Sequence, residues 1–243
     1  MLLYRPTTDW TRDMTAEIKF STLTPSDTTC VYDLYQRVAV SSPYGFLTEK
    51  SMDDISAVLR CAEHSASIGA WSRGRLVAYS LCVRAMEDVF SQSPLFRLIE
   101  RRREPLWNGK GTVVDPQFEG RLLMPRLLAR RYRLIHERSP CCHIAGMVAY
   151  DNISSLIGAF RAGSWAVGLE DDQYCRNVVF YAGSLTNFTV FGAKCAVKIE
   201  DLEGLSAKFA GGWVGTGTTK DRINGQRRLI LKQATIAGES LGI

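Results

Sequence analysis

The sequence predicts an α/β fold: a mixed, mostly antiparallel central sheet flanked by helices, followed by a C-terminal extension. Three observations predict it. Stretches of period-two hydrophobicity alternate with stretches of helical period in the order β-α-α-β-β-β-α-β-α-β-β, and such a series buries its apolar faces as a sheet covered by helices. Pro, Gly, Ser and Asp signals stand at the joints between these stretches. Beyond Gly183 the pattern weakens, so residues 1–183 read as one α/β domain and residues 184–243 as an extension of unassigned role.

The elements follow in order. Glu17–Leu23 alternates, with Ile18, Phe20 and Thr22 on one face, and reads as a first strand. Pro25, Ser26 and Asp27 open a helix on which Val31, Leu34, Tyr35 and Val38 recur at helical spacing. Ser41-Ser42-Pro43-Tyr44-Gly45 breaks it into a loop that is a candidate wall for an acceptor pocket, and Met52, Ile55, Val58 and Leu59 mark a second amphipathic helix. Ile68–Trp71 and Leu76–Arg84 form a hairpin turned by Ser72-Arg73-Gly74-Arg75. Met86–Gly111 reads as an insertion with a short basic helix from Pro94 to Arg103. A fourth strand at Thr112–Asp115 passes through Pro116 into a long helix with Met124, Leu127, Leu128, Leu134 and Ile135 on its apolar stripe. Arg126, Arg130, Arg133 and Glu137 take its opposite face, and Pro125 is tolerated in its first turn. Ile144–Ala149 is a fifth strand, and a helix from about Ile153 to Ala162 stops at Gly163. Trp165–Leu169 and Cys175–Tyr181 close the sheet. In the extension, Phe188–Ile199 and Arg228–Leu231 read as strands separated by the glycine-rich Ala210–Gly217. That tail either packs on the core, reaches a second subunit of a homodimer, or stays partly mobile.

Composition narrows the function classes. Hydrophobic residues make up 46% and charged residues 23% of the 243, ordinary values for a packed globular chain. Leu122–Ile135, the best candidate apolar run, is interrupted by Pro125 and several arginines and is too short to span a bilayer, so no membrane is expected. Arg5, Asp9, Arg12 and Asp13 interrupt any signal-like N-terminus. Seven cysteines without a C-x-x-C pair fit reduced thiols, hence a cytoplasmic setting. The three histidines are not spaced with cysteines or carboxylates as metal ligands would be. The net charge of +5 is concentrated in Arg101–Arg103 and in Arg121–Arg133, which are either solvated faces or an attraction for an anionic ligand or partner. No zinc finger or RNA-binding signature accompanies them, and no nucleic-acid partner is expected.

The chemistry concentrates at two segments. Val114-Asp115-Pro116 ends a strand, and Gln117-Phe118-Glu119-Gly120-Arg121-Leu122-Leu123-Met124 turns into a helix, whose N-terminal amides and dipole suit a phosphate. Some thirty residues on, Asn152 and Ser155 open a second helix that closes at Gly163, with an aromatic, Trp165, shortly after. Taken together, the two segments resemble the donor-binding half of the GNAT-type N-acyltransferases. Val114, Pro116, Gly120, Leu127 and Leu128 fall in register with V-x-P-x-x-[RQ]-G-x-G-x-[GA] and its leucine pair, and Asn152, Ser155 and Gly163 with the family's N-x-x-[AS] helix. With the strand order upstream, the resemblance covers about Glu17 to Tyr181.

The resemblance implies an acyltransferase that moves an acetyl or longer acyl group from acetyl-CoA or another acyl-CoA to an amine, small-molecule or peptide, by direct attack. It implies a donor site at Val113, Val114, Glu119, Gly120, Arg121, Leu122, Leu123 and Met124, with Asn152, Ser155 and Phe160 from the later helix. Departures accompany it. Glu119 stands where the family has Arg or Gln, and Leu122 and Met124 stand at small-residue positions. Ala159 takes the place of the tyrosine that protonates the leaving thiolate in many members; Tyr150 is the substitute acid, with a solvated strand-end tyrosine as its plainer reading. His143 is a candidate base, with a structural role as the alternative, and Glu87 and Asp88 are others. Two further readings stand beside the first: a donor carried on acyl carrier protein, and a GNAT-like binding module without catalysis.

Overall fold

A computed structural model of the 243-residue chain describes residues 18–40, 42, 47, 49–61, 63–85, 105–139, 142–171, 176–183, 188–221, 224–236 and 239–240. The elements run β1 (Ile18–Thr22), α1 (Thr28–Ala39), α2 (Met52–Arg60), β2 (Ile68–Ser72), β3 (Arg75–Arg84), β4 (Leu106–Val114), α3 (Leu123–Arg138), β5 (His143–Ala149), α4 (Ile153–Arg161), β6 (Trp165–Asp171) and β7 (Arg176–Gly183). This is the alternation that the hydrophobic periods predict. β8 (Phe188–Lys198), α5 (Leu202–Ala210), β9 (Trp213–Lys220), β10 (Arg227–Ile236) and β11 (Glu239–Ser240) complete it. The Pro94–Arg103 segment, Glu87, Asp88, Cys175 and all of the Ser41–Gly45 loop except Ser42 lie outside the described residues.

The described strands form one 11-stranded sheet in the order β1-β2-β3-β4-β5-β7-β6-β9-β10-β11, with β8 pairing β10. Among the described strands every pairing is antiparallel except that of β4 with β5. No described helix is long and apolar enough to cross a membrane.

The helices bury the faces their periodicity marks. Val31, Leu34, Tyr35 and Val38 of α1 and Ile55 and Leu59 of α2 pack on Tyr79 and Leu81 of β3 and Val113 of β4. A capping box starts α2: Ser51 Oγ accepts the Asp54 N–H at 3.1 Å, and the Asp54 carboxylate accepts the Ser51 N–H at 2.8 Å. On the opposite face Leu123 and Leu127 of α3 meet Val77 and Ala78, while Leu128, Tyr132 and Ile135 meet Trp107 and Ile144. Each fully buried leucine of this kind contributes about 1.5–3 kcal/mol by leaving water. Leu156 and Ala159 of α4 share a third core with Leu205 and Phe209 of α5 and Leu229 and Leu231 of β10. The C-terminal segment therefore packs on the sheet and extends it.

Two expectations are corrected. The fourth strand starts at Leu106, not Thr112: Trp107 and Asn108, both buried, pair with Arg84 and Val83, although the polar, glycine-rich Asn-Gly-Lys-Gly run hides the strand's period. Ala210–Gly217 is not a separator, since β9 runs through its second half and α5 precedes it.

Candidate functional site

β5 meets its two neighbours unequally. All seven of its residues pair with β7, from His143↔Gly183 to Ala149↔Asn177. On the other edge only Leu106, Trp107 and Asn108 of β4 pair with it, opposite His143, Ile144 and Ala145. Beyond Asn108 the two parallel strands part. A bulge in β4 lies where they separate: Cys82 stands opposite Gly109 and Ser80 opposite Thr112, so three steps of β4 span two of β3. Gly111, at φ +118, supplies backbone freedom there that a side chain rarely allows.

The gap opens into a cavity of about 330 Å³. Tyr35, Leu47, Lys50 and Tyr79 line it from the α1–α2 side, Met124, Leu128, Arg131 and Tyr132 from α3, and Asn152, Ser155 and Ala159 from α4 and its entry. Since α1 and α3 cover opposite faces, the cleft reaches through the sheet.

A backbone cradle adjoins it through Met124. Asp115, buried at the end of β4, accepts the Gln117 N–H at 3.1 Å and the Arg75 Nη2–H at 2.5 Å, with Arg37 at 3.8 Å. Those contacts fix a 3₁₀ turn at Pro116–Phe118, after which Gly120 (φ +74) and Leu122 (φ +57) both take left-handed backbone and lead into α3. For a leucine that conformation costs about 1–2 kcal/mol. Among the described residues, the backbone N–H groups of Gly120 through Met124 donate to no backbone carbonyl outside α3, and Leu122 caps the helix with no side-chain hydrogen bond. A run of unused amides at a helix N-terminus attracts anions.

The sequence-derived residues divide as follows. Val113, Met124, Asn152 and Ser155 line the cleft. Asn152 does so as the N-cap of α4, its side chain accepting the Ser155 N–H at 3.1 Å. Glu119, Gly120, Arg121 and Leu122 form the adjoining turn, between Val114 at the end of β4 and Leu123 at the start of α3, with Glu119 exposed and Arg121 stacked over Phe118 at 4.9 Å. Met124 packs against α4, its sulfur 2.7 Å from where a Cβ on Gly158 would stand. Phe160 is drawn away, edge-on to Phe180 at 5.0 Å. His143 and Tyr150 are not brought into the cleft. His143 is buried at the closed end of β5, its Nδ1 3.0 Å from the Tyr181 hydroxyl, and Tyr150 packs against the core beneath β6 and β7.

Sequence reading missed Tyr79, Arg131 and Lys50. The Tyr79 hydroxyl is buried in the cleft wall and has no hydrogen-bond partner among the described residues. Burial, then the neighbouring Tyr35, pushes its phenol far above the usual range, so it stays protonated. Lys50 is held below the ordinary lysine range by burial first and by Lys110 second, with Asp54 opposing. Arg131 carried a readable signal: it falls on the Met124, Leu128, Ile135 stripe of α3, where a charged residue is out of place.

This architecture has counterparts. An acetyltransferase of the GNAT family from Streptococcus pneumoniae superposes with a TM-score of 0.54 at 10% identity, covering 69% of this chain and 99% of its own. The fold is that of the GNAT acetyltransferases. The yncA protein of Salmonella typhimurium, solved with its cofactor acetyl-CoA, matches with a TM-score of 0.52 at 11% identity over 68% of this chain and 93% of its own. The ribosomal-protein-S18-alanine N-acetyltransferase from Escherichia coli matches at 0.51 and 12%, again over 68% and 93%. No protein-family model and no curated protein matches the sequence. The likeness is therefore one of architecture, and about a third of the chain lies beyond what the GNAT fold accounts for.

Proposed function

We propose that this protein is an acyltransferase that passes an acyl group from coenzyme A to an amine acceptor by direct attack. The observation that carries the reading is the parting of β4 from β5 after three residue pairs, with the unused amides of Gly120–Met124 beside the opening. The cleft accepts an extended thioester arm while the amides receive its diphosphate. GNAT-fold relatives solved with acetyl-CoA or with coenzyme A and kanamycin support a coenzyme A donor and an amine acceptor. The cysteine usage supports a cytoplasmic setting.

In the reaction the amine lone pair attacks the thioester carbonyl carbon, the C–S bond breaks, and sulfur leaves with the electron pair. Tyr79 is the donor we assign to the departing sulfur, in place of Tyr150. Among the described residues no Asp, Glu or His lines the cleft, so we assign no side-chain base; the amine sheds its proton to solvent. A second reading, with acyl carrier protein as donor, is favoured by the basic face of α3, where Arg126 and Arg130 stack over Phe20 at 4.9 and 4.2 Å.

Calorimetry with acetyl-CoA tests the proposal. Saturable binding at micromolar to sub-millimolar concentration supports it. Folded protein that gives no heat and no thermal shift at millimolar acetyl-CoA removes the coenzyme A donor, and binding of acyl carrier protein instead establishes the second reading.

A further inference from the structure

Arg131 is buried, with 4% of its surface exposed, and it lines the cleft. Its Nη1 donates to Ser80 Oγ at 2.8 Å and to the Leu81 carbonyl at 3.4 Å, its guanidinium stacks on Tyr132 at 5.3 Å, and its Nε has no partner among the described residues. No described carboxylate forms an ion pair with it. Gly109 leaves it room, because a Cβ there would stand 3.3 Å from Nη1 and 3.5 Å from Nη2. Ser80 is itself bonded to Thr112 across the β3–β4 pair at 2.9 Å, so the guanidinium is held at the point where β4 and β5 part.

A guanidinium keeps its charge inside proteins. Burying one with only neutral acceptors costs several kcal/mol, which a sequence tolerates where a ligand supplies the missing charge. The nearby Cys82 thiol does not, since burial drives it above its ordinary range and leaves it neutral. Among the described residues, Lys50 and Lys110 are the other charged groups of the cleft wall, and both add positive potential. The diphosphate cradle is a separate anion site: Arg131 stands eight positions after Leu123 on α3, about 12 Å along the helix.

We propose that Arg131 seats a carboxylate of the substrate pair. Resting on the acyltransferase reading, this narrows the chemistry to one of two sources: the terminal carboxylate of a dicarboxylic acyl group, or the carboxylate of an acidic or amino-acid acceptor. With Nη1 occupied, the Nη2 end of the guanidinium, which no hydrogen bond among the described residues engages, recognises either one from a desolvated wall and discriminates against uncharged analogues of the same length.

The test compares succinyl-CoA with butyryl-CoA, then L-amino acids with their carboxamides in the presence of acetyl-CoA, by calorimetry on wild type, Arg131→Met and Arg131→Lys. A preference for the charged member of about tenfold to a hundredfold is expected in one arm, because that is the range of a charge-assisted hydrogen bond. The arm that shows it names the source. The preference falls to about twofold or less in Arg131→Met and is partly kept in Arg131→Lys, while the unliganded Arg131→Met protein melts at the same temperature as wild type or higher. Acetyl-CoA binding with no preference in either arm overturns the carboxylate site and leaves the transferase reading standing. A preference that persists in a folded Arg131→Met protein also overturns it. Should Arg131→Met fail to fold, an unchanged preference in Arg131→Lys would count against the proposal and a weakened one for it. If no coenzyme A thioester binds at all, the transferase reading fails first and the inference with it.

Discussion

The two edges of β5 behave oppositely. Toward β7 every residue pairs, and the seam is built from Val178, Val179, Phe180 and Tyr181, all buried, with Val178 and Phe180 over the leucines of α4 and α5. Toward β4 pairing stops after three residues, and the strand that departs reads Gly109-Lys110-Gly111-Thr112. β-branched and aromatic residues gain by filling a pleated, half-buried surface, whereas glycine and lysine gain little there. One edge is filled with packing residues, and the other gives up ladder hydrogen bonds where the cleft opens.

Substitutions should separate the two edges, and the largest effect belongs to the closed one. Leu156→Ala, beneath the seam, should lower stability by about 2–5 kcal/mol through the lost transfer energy and the cavity it leaves. Denaturant unfolding measures it, and donor affinity of the folded fraction should be unchanged. A next-smaller loss is expected from Asp115→Asn at the root of the cradle. Weakening its charged hydrogen bonds to Arg75 and Gln117 should cost about 1.5–3 kcal/mol and reduce acetyl-CoA affinity together. Full affinity in a destabilised Asp115→Asn protein would uncouple the cradle from the binding of coenzyme A.

Tyr79→Phe acts on the open edge. It removes a hydroxyl with no partner among the described residues, so stability should hold or rise slightly, while kcat falls about tenfold to a hundredfold. A stability loss with normal kcat would make Tyr79 a packing residue. Glu119→Gln should show the smallest effect. Exposed at the cradle, Glu119 opposes diphosphate binding only weakly, and its neutralisation should tighten acetyl-CoA by about 0.3–1 kcal/mol, up to roughly fivefold, less at high salt. Weaker binding by the Glu119→Gln protein would mean that the carboxylate contacts the donor or acceptor favourably.

The packing faces of the helices were far more legible in the sequence than the cleft. Alternation and helical spacing are consequences of burial, so Val31 through Val38, Leu127, Leu128 and the stop at Gly163 were all visible along the chain. Asn152 was visible as well, because an N-cap is local chemistry. The cleft instead draws Tyr79 from β3, Lys50 from the entry to α2 and Arg131 from α3, and only tertiary pairing brings them together. His143 and Tyr150 were attractive as chemistry-bearing residues near the fifth strand, but strand direction and packing turn them to Tyr181 and to the core. β4 was foreshortened because the bulge and glycines that make it useful also erase its period.

Hydrogen exchange in the presence and absence of acetyl-CoA tests the central claim, that the parting of β4 and β5 is the donor site. Protection is expected at the amides of Gly109–Thr112 and Gly120–Met124, with Arg176–Gly183 of the closed seam unchanged. Binding that leaves both open-edge segments unprotected, or protects β8 and β10 instead, would contradict it.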